Sequence, residues 1–210
     1  MTSSSPPKTV KQTQIEQCDA FVGYVLGLCQ DKKTQAELRT GLGLPVERCT
    51  YLHRYLVPRL PERQHPDARR ARYAVAALIA GRPRTARDAD AAAHATAAEA
   101  GAGEPVPEWW KRPNLGVSLA QAVNKRALKP ASAEGDLHLM TRQSSDAIHP
   151  RLPSLTRHLL SSGVRVDWAV LLDDLSWWNH DRDRIATRWL ESYFRTRTPD
   201  DSHDPLEEHK

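Results

Sequence analysis

Metal sites and acid–base pairs need carboxylates, imidazoles or thiols that converge. Three groups in this chain have suitable types: Asp173 with Asp174, the run His180, Asp181 and Asp183, and the cysteines Cys18, Cys29 and Cys49. None has the spacing. Asp173 and Asp174 are neighbours on a predicted helix and point in different directions, so they do not readily share a metal. Asp favours helix N-caps, which together with solvated charge accounts for His180, Asp181 and Asp183. The cysteines are odd in number, lack CxxC spacing and read as small buried residues. The nine histidines are scattered singly, and no Gly-rich phosphate loop, HExxH or GxSxG occurs. The expectation is a chain that is not an enzyme, with no catalytic residues, no metal and no cofactor. Its cysteine usage, and a start without a charged-then-apolar leader, predict a reducing cytoplasm. No apolar run approaches the roughly 20 residues of a membrane helix, so no membrane partner is expected.

The chemistry that remains is the binding of a polyanion. Net charge is only +4, but the charge is segregated. Residues 32–87 carry 13 Lys/Arg against 4 Asp/Glu, residues 88–108 none against 5, residues 111–129 5 against none, and residues 199–210 1 against 5. Cations clustered on folded segments, with acid in a linker and a tail, are the footprint of a polyanion binder, nucleic acid being one such partner and an ordinary basic helix surface the other reading. Arg184, Arg188 and Arg195 follow i, i+4, i+11 spacing and share a helix face. Lys125, Arg126 and Lys129 gather near a helix end, where they also complement the helix dipole. Arg157 sits off the leucine face of its own helix.

Helices must hold these cations. Leu152, Leu155 and Leu159 recur at i, i+3, i+7 and predict one helix, stopped by the SSG at 161–163. Asp167 can cap a second, with Trp168, Leu171, Leu172, Leu175 and Trp178 as its apolar stripe. Asp181 can cap a third, in which Ile185, Trp189 and Tyr193 recur every four residues beside Leu190 and Phe194. Trp168, Trp177, Trp178 and Trp189 are all expected in the core.

Upstream, Ile15, Cys18, Phe21, Val22, Val25, Leu28 and Cys29 form one helical face. Thr34 with Glu37 reads as a capping box for a short helix ending at Gly41 and Gly43, and Pro45 as the start of another through Cys49, Leu52 and Leu56. Ala71, Val75, Leu78 and Ile79 predict a helix ended by Gly81 and Pro83. Ser118 with Gln121 reads as a second capping box, and Leu137, Leu139 and Met140 as a short helix followed by Arg142. The fold class is all-α: helical bundles at 15–87 and 109–197, joined by an acidic Ala/Gly/Pro-rich linker at 88–108. Residues 1–14 and 198–210 are expected to be disordered.

The segment TQAELRTGLGLPVERCTYLHRYL has the outline of a helix-turn-helix, which would make the chain a DNA-binding regulator. Ala36 and Val46 fit that pattern, whereas the turn glycine falls one residue late, after Thr40. A purely protein-binding helical scaffold is the other alternative.

The order of LRTGLG, VAALIAG, GVSLAQAV and LTRHLLSSGVRVDWAVLLDDLSWW, followed by a basic-aromatic helix, resembles the small subunit (CasB family) of the type I-E CRISPR Cascade complex. The resemblance spans about residues 15–197. It implies a non-catalytic subunit of a crRNA-guided antiviral complex, two copies side by side among other Cascade subunits, stabilising the target and displaced non-target DNA strands. By position it implies basic contacts at Arg39, Arg142 and Arg157. The chain departs from the family where paired arginines are common, having Glu134, Gly135 and Asp136, and where a basic pair often follows WW, having Asn179 and His180. The expected nucleic-acid contacts are thus Arg39, Lys125, Arg126, Arg142, Arg157, Arg184 and Arg188.

Overall fold

The Asp167 carboxylate accepts from the backbone N–H groups of Ala169 and Val170 at 3.2 and 3.1 Å, and starts the helix on which most others pack. The computed structural model describes residues 10–100 and 109–198. Its helices are α1 (Val10–Leu28), α2 (Lys32–Arg39), α3 (His53–Leu56), α4 (Pro66–Ala80), α5 (Arg84–Ala100), α6 (Leu115–Asn124), α7 (Pro130–Thr141), α8 (Ser145–Ile148), α9 (Leu152–Ser161) and α10 (Trp168–Thr196). No strand occurs among the described residues, as the all-α reading expects. The predicted disordered ends lie largely outside them, although α1 already begins at Val10.

The second and third helices predicted at the C-terminus are two limbs of α10. They meet at a kink at Asp181, whose φ of −135° and ψ of 31° leave the helical region. Asp181 thus marks the break the sequence suggested. The stripe behaves as its period requires: Trp168, Leu171, Leu172, Leu175, Trp178, Ile185, Trp189 and Tyr193 are all buried. Trp178 and Trp189 lie on opposite sides of the kink with ring centroids 4.8 Å apart. Trp177 departs from expectation, being 40 % exposed, because it is turned about 100° around the helix from Trp178, off the packed face at this end of the limb.

Two caps also differ from expectation. Asp31 caps α2 by accepting from the Thr34 N–H at 2.8 Å; an ionised carboxylate is the stronger acceptor at a helix N-terminus, so Thr34 is displaced into the first turn. Glu37 instead accepts from the Tyr55 hydroxyl at 2.5 Å and pairs with Arg54 at 3.0 Å. Asn114 caps α6, and Ser118 is buried with its hydroxyl donating to the Arg165 carbonyl at 2.9 Å. The helix expected from Pro45 is a series of short 3-10 turns ending in α3. Cys49, at φ −89° and ψ 49°, interrupts it, although Cys49, Leu52 and Leu56 are buried as the spacing implied. The three cysteines are free and buried, and burial pushes the Cys29 thiol up to about 11, only partly offset by Arg87.

The stretch 88–100 read as linker is helical, and α5 packs on α1. Gly23 makes the approach close: a Cβ there would lie 2.7 Å from the His94 ring. Asp90 pairs with the largely buried Arg82 and accepts from the Trp168 indole N–H at 3.0 Å. Residues 101–108 lie outside the described residues. Buried side chains from both predicted bundles belong to one contiguous cluster, in which α10 contacts α1, α4, α6 and α7. At Gly116, a Cβ would overlap the Trp189 carbonyl, so only glycine lets α6 lie this close to α10.

Arg112 joins the halves. Its Nε and Nη2 donate to Asp167 at 2.8 Å each, and its Nη1 and Nη2 donate to Asp19 of α1 at 2.6 and 2.9 Å. Burial alone would lower its pKa, but the two carboxylates more than offset this and hold the proton on more firmly than usual. Arg112→Ala is expected to cost on the order of 3 kcal/mol, because removing one partner strands partly buried charges. Urea denaturation checks this; an unchanged midpoint would refute it.

His149 is buried, and neither ring nitrogen has a hydrogen-bond partner among the described residues. Burial, with the positive charge of Arg70, pulls its pKa down to about 3, so the folded state holds a neutral imidazole. The unfolded chain binds a proton below about 6.5 and the folded chain does not, so stability is lost as pH falls from about 6.5 towards 3. At most about 1.4 kcal/mol is lost per pH unit from this group. Denaturation at pH 7, 6 and 5 should show a shallower pH dependence for His149→Leu than for wild type.

Candidate nucleic-acid interface

Side chains that contact phosphate should be exposed and should keep hydrogen-bond donors available. Arg39, Arg126, Arg142 and Arg157 are exposed, and among the described residues none has a carboxylate partner. Each sits where its helix forces it outward. Arg39 is in the last turn of α2, whose inner face carries the buried Leu38. Arg142 ends α7, with the adjoining Gln143 carbonyl accepting from the Trp178 indole at 2.9 Å. Arg157 lies opposite Leu152, Thr156 and Leu159, the buried face of α9.

The ends of α6 and α9 are tied together. Lys125 Nζ donates to the Gly163 carbonyl at 2.8 Å, and the His158 ring lies 3.2 Å from the Ala127 carbonyl. Lys125, Arg126 and Arg157 therefore share one corner of the molecule. Arg126 closes α6 with φ at 57°, a left-handed conformation that disfavours a side chain. The α6 ending explains it: the Arg126 N–H bonds to the Val123 carbonyl and the Ala127 N–H to that of Ala122, which satisfies the last turn. The turn after Arg39 reaches the start of α9, where a Cβ at Gly43 would lie 3.7 Å from Pro153.

Arg184 and Arg188 differ from these. Arg184 is exposed but pairs with Asp181 across the kink at 2.5 Å. Arg188 is bound to the buried Asp174 and lies over the Trp109 ring, 5.2 Å from its centroid. Asp174 also accepts from the Trp189 indole at 2.7 Å. Arg188 thus neutralises a carboxylate that α10 would otherwise bury charged. Two of the positions departing from the family pattern, Glu134 and Asn179, have structural partners as well. Glu134 pairs with Arg197, and Asn179 accepts from the Ser145 N–H at 3.0 Å while donating to Asp67 at 3.1 Å.

Asp173 and Asp174 are both buried, and no His/Cys/Asp/Glu cluster suited to a metal occurs among the described residues. No described helix is long and apolar enough to cross a membrane. The helix-turn-helix reading fails on geometry, because α3 has four residues and offers no continuous recognition helix. Sequence reasoning missed Arg112, Arg82 and the exposure of Trp177; the adjacency of Trp177 and Trp178 was the available signal for the last.

These elements define an all-α module whose surface carries guanidinium groups without carboxylate partners among the described residues. Residues 34–194 match the family model for CRISPR-associated protein Cse2, and the chain belongs to that family. Two similar solved chains come from structures titled "CRISPR RNA-guided surveillance complex", one of them "pre-nicking". They are 37 % and 39 % identical, with TM-scores of 0.71 and 0.73; each match covers 87 % of this chain and 94 % of the other. A CasB from M. ruber shares the fold at 24 % identity and a TM-score of 0.63, covering 86 % of this chain and 93 % of its own. No curated protein matches the sequence.

Arg126→Gly separates charge from fold. Glycine adopts the left-handed conformation without penalty, so the variant should melt no lower than wild type. If Arg126 meets phosphate, the log–log salt dependence of single-strand binding should fall by about 0.7. Thermal melting and a salt titration check the two halves of this outcome.

Proposed function

We propose that this chain is the small subunit of a type I-E Cascade surveillance complex. In this reading it lies as two copies side by side among the other subunits and the crRNA. It stabilises the target strand and the displaced non-target strand and performs no chemistry itself. The observation that carries the reading is the set of exposed guanidinium groups without carboxylate partners among the described residues, Arg39, Arg126, Arg142 and Arg157, on the Cse2 fold. Family membership and the resemblance to chains from RNA-guided complexes support the assembly; the surface cations support the contact with nucleic acid.

Guide pairing reads the sequence in such a complex, so the protein needs only backbone contacts. Lys125 and Arg184 join the four arginines as phosphate partners with donors to spare, since an ammonium has three N–H donors and a guanidinium five. Arg188, held by Asp174, contributes mainly by fixing the second limb of α10.

Arg157→Ala in an assembled complex should lower target-DNA affinity uniformly across target sequences, by about 1.5–3 kcal/mol. It should reduce the salt slope by about 0.7 while assembly remains intact. Affinity measured at several salt concentrations decides this. Unchanged affinity and slope for Arg157→Ala, Arg39→Ala and Arg142→Ala would refute the strand-binding reading and favour a protein-binding scaffold.

A further inference from the structure

The kink at Asp181 opens a cleft between the limbs of α10. Asp173 and Trp177 line it from the first limb and Arg184 and Arg188 from the second, with Trp109 completing the wall. Residues 173 and 177 share a face of the first limb and residues 184 and 188 a face of the second, each pair at i, i+4, and the kink turns the two faces towards each other. The cleft is small and opens to solvent.

The wall is built before any ligand arrives. Asp174 holds Arg188 over Trp109, and Asp181 holds Arg184 at the rim. The His180 ring, 5.5 Å from that of Trp177, props it at a tilt of 60° while leaving it 40 % exposed. An exposed tryptophan restrained in this way presents a flat apolar surface without a large ordering cost.

The charges select the ligand. Asp174 and Arg188 cancel each other, so a phosphate at the floor would face Asp173 and a lysine at the mouth would face Arg184. A neutral, planar ring meets neither repulsion. Arg184, 72 % exposed, is placed at the mouth, where the sugar-phosphate attached to such a ring would emerge. We propose that this cleft receives one unpaired nucleobase of a bound single strand, stacked on Trp177, with Arg184 on the adjoining phosphate. The proposal rests on the strand-binding reading above and adds to it a base-stacking site not carried by the phosphate contacts.

The test uses the full-length chain and single-stranded DNA of mixed sequence, alongside a strand of equal length with abasic sugars. Trp177→Ala should weaken binding to the normal strand about tenfold, the effect of losing one stacked base. The log–log salt slope should not change, because no charge is removed. Trp177→Phe should recover most of the affinity, and the abasic strand should bind wild type as weakly as the normal strand binds Trp177→Ala. If Trp177→Ala binds like wild type while Arg157→Ala is weakened, the nucleobase site is overturned and strand binding stands. Loss of assembly with other subunits at unchanged DNA affinity would also overturn it, assigning the cleft to a protein contact. If Trp177→Ala, Arg157→Ala, Arg39→Ala and Arg142→Ala all leave binding unchanged, both readings fail.

Discussion

The salt bridge from Arg112 to Asp19 and Asp167 sets the frame in which the other elements are placed. Asp167 caps α10 and anchors Arg112, so the helix start and its attachment to α1 depend on one carboxylate. A planar guanidinium suits this junction because it satisfies two carboxylates in fixed directions at once. From that anchored end, α10 carries the stripe against which α1, α4, α6 and α7 pack. Gly116 then allows α6 to approach the second limb of α10. The distal end closes through Asn124, which donates to the Thr196 carbonyl at 2.9 Å and accepts from the Thr198 N–H at 3.0 Å.

Arginine serves two purposes in this fold, and burial separates them. Arg82, Arg112 and Arg188 offset the cost of partly or fully buried carboxylates and tie distant segments together. Arg39, Arg126, Arg142 and Arg157 have no such partner among the described residues and remain in solvent. A total charge of +4 conceals this division, because the inward cations are cancelled locally while these four have no carboxylate partner among the described residues. The exposed group can interact with a polyanion over roughly a Debye length without disturbing the ion pairs inside.

Much of the helical pattern was legible because it rests on local periodicity. The face of α10 and the cap at Asp167 follow from spacing alone, and Asp181 marked the break in the helix. Cys49, Leu52 and Leu56 show the limit: their spacing located the buried side, but short 3-10 turns bury the same residues as one helix would. Caps were misplaced where better acceptors stood a few residues earlier, as Asp31 and Asn114 do. Asp90 was hidden differently. Its acidic, Ala-rich surroundings read as linker, whereas its role depends on Trp168, 78 residues away. The same holds for the site, where sequence located surface arginines but gave no sign that Arg188 is bound to Asp174 across the kink.

We propose that this Cse2-family chain grips nucleic acid by its backbone through a folded cationic surface. The most direct test is the affinity of the wild-type chain for single-stranded DNAs of unrelated sequence across a range of salt concentrations. Weak binding of similar strength is expected for every sequence, with log affinity falling linearly against log salt. Salt-independent binding, no binding at low salt, or strong preference for one duplex sequence would contradict it.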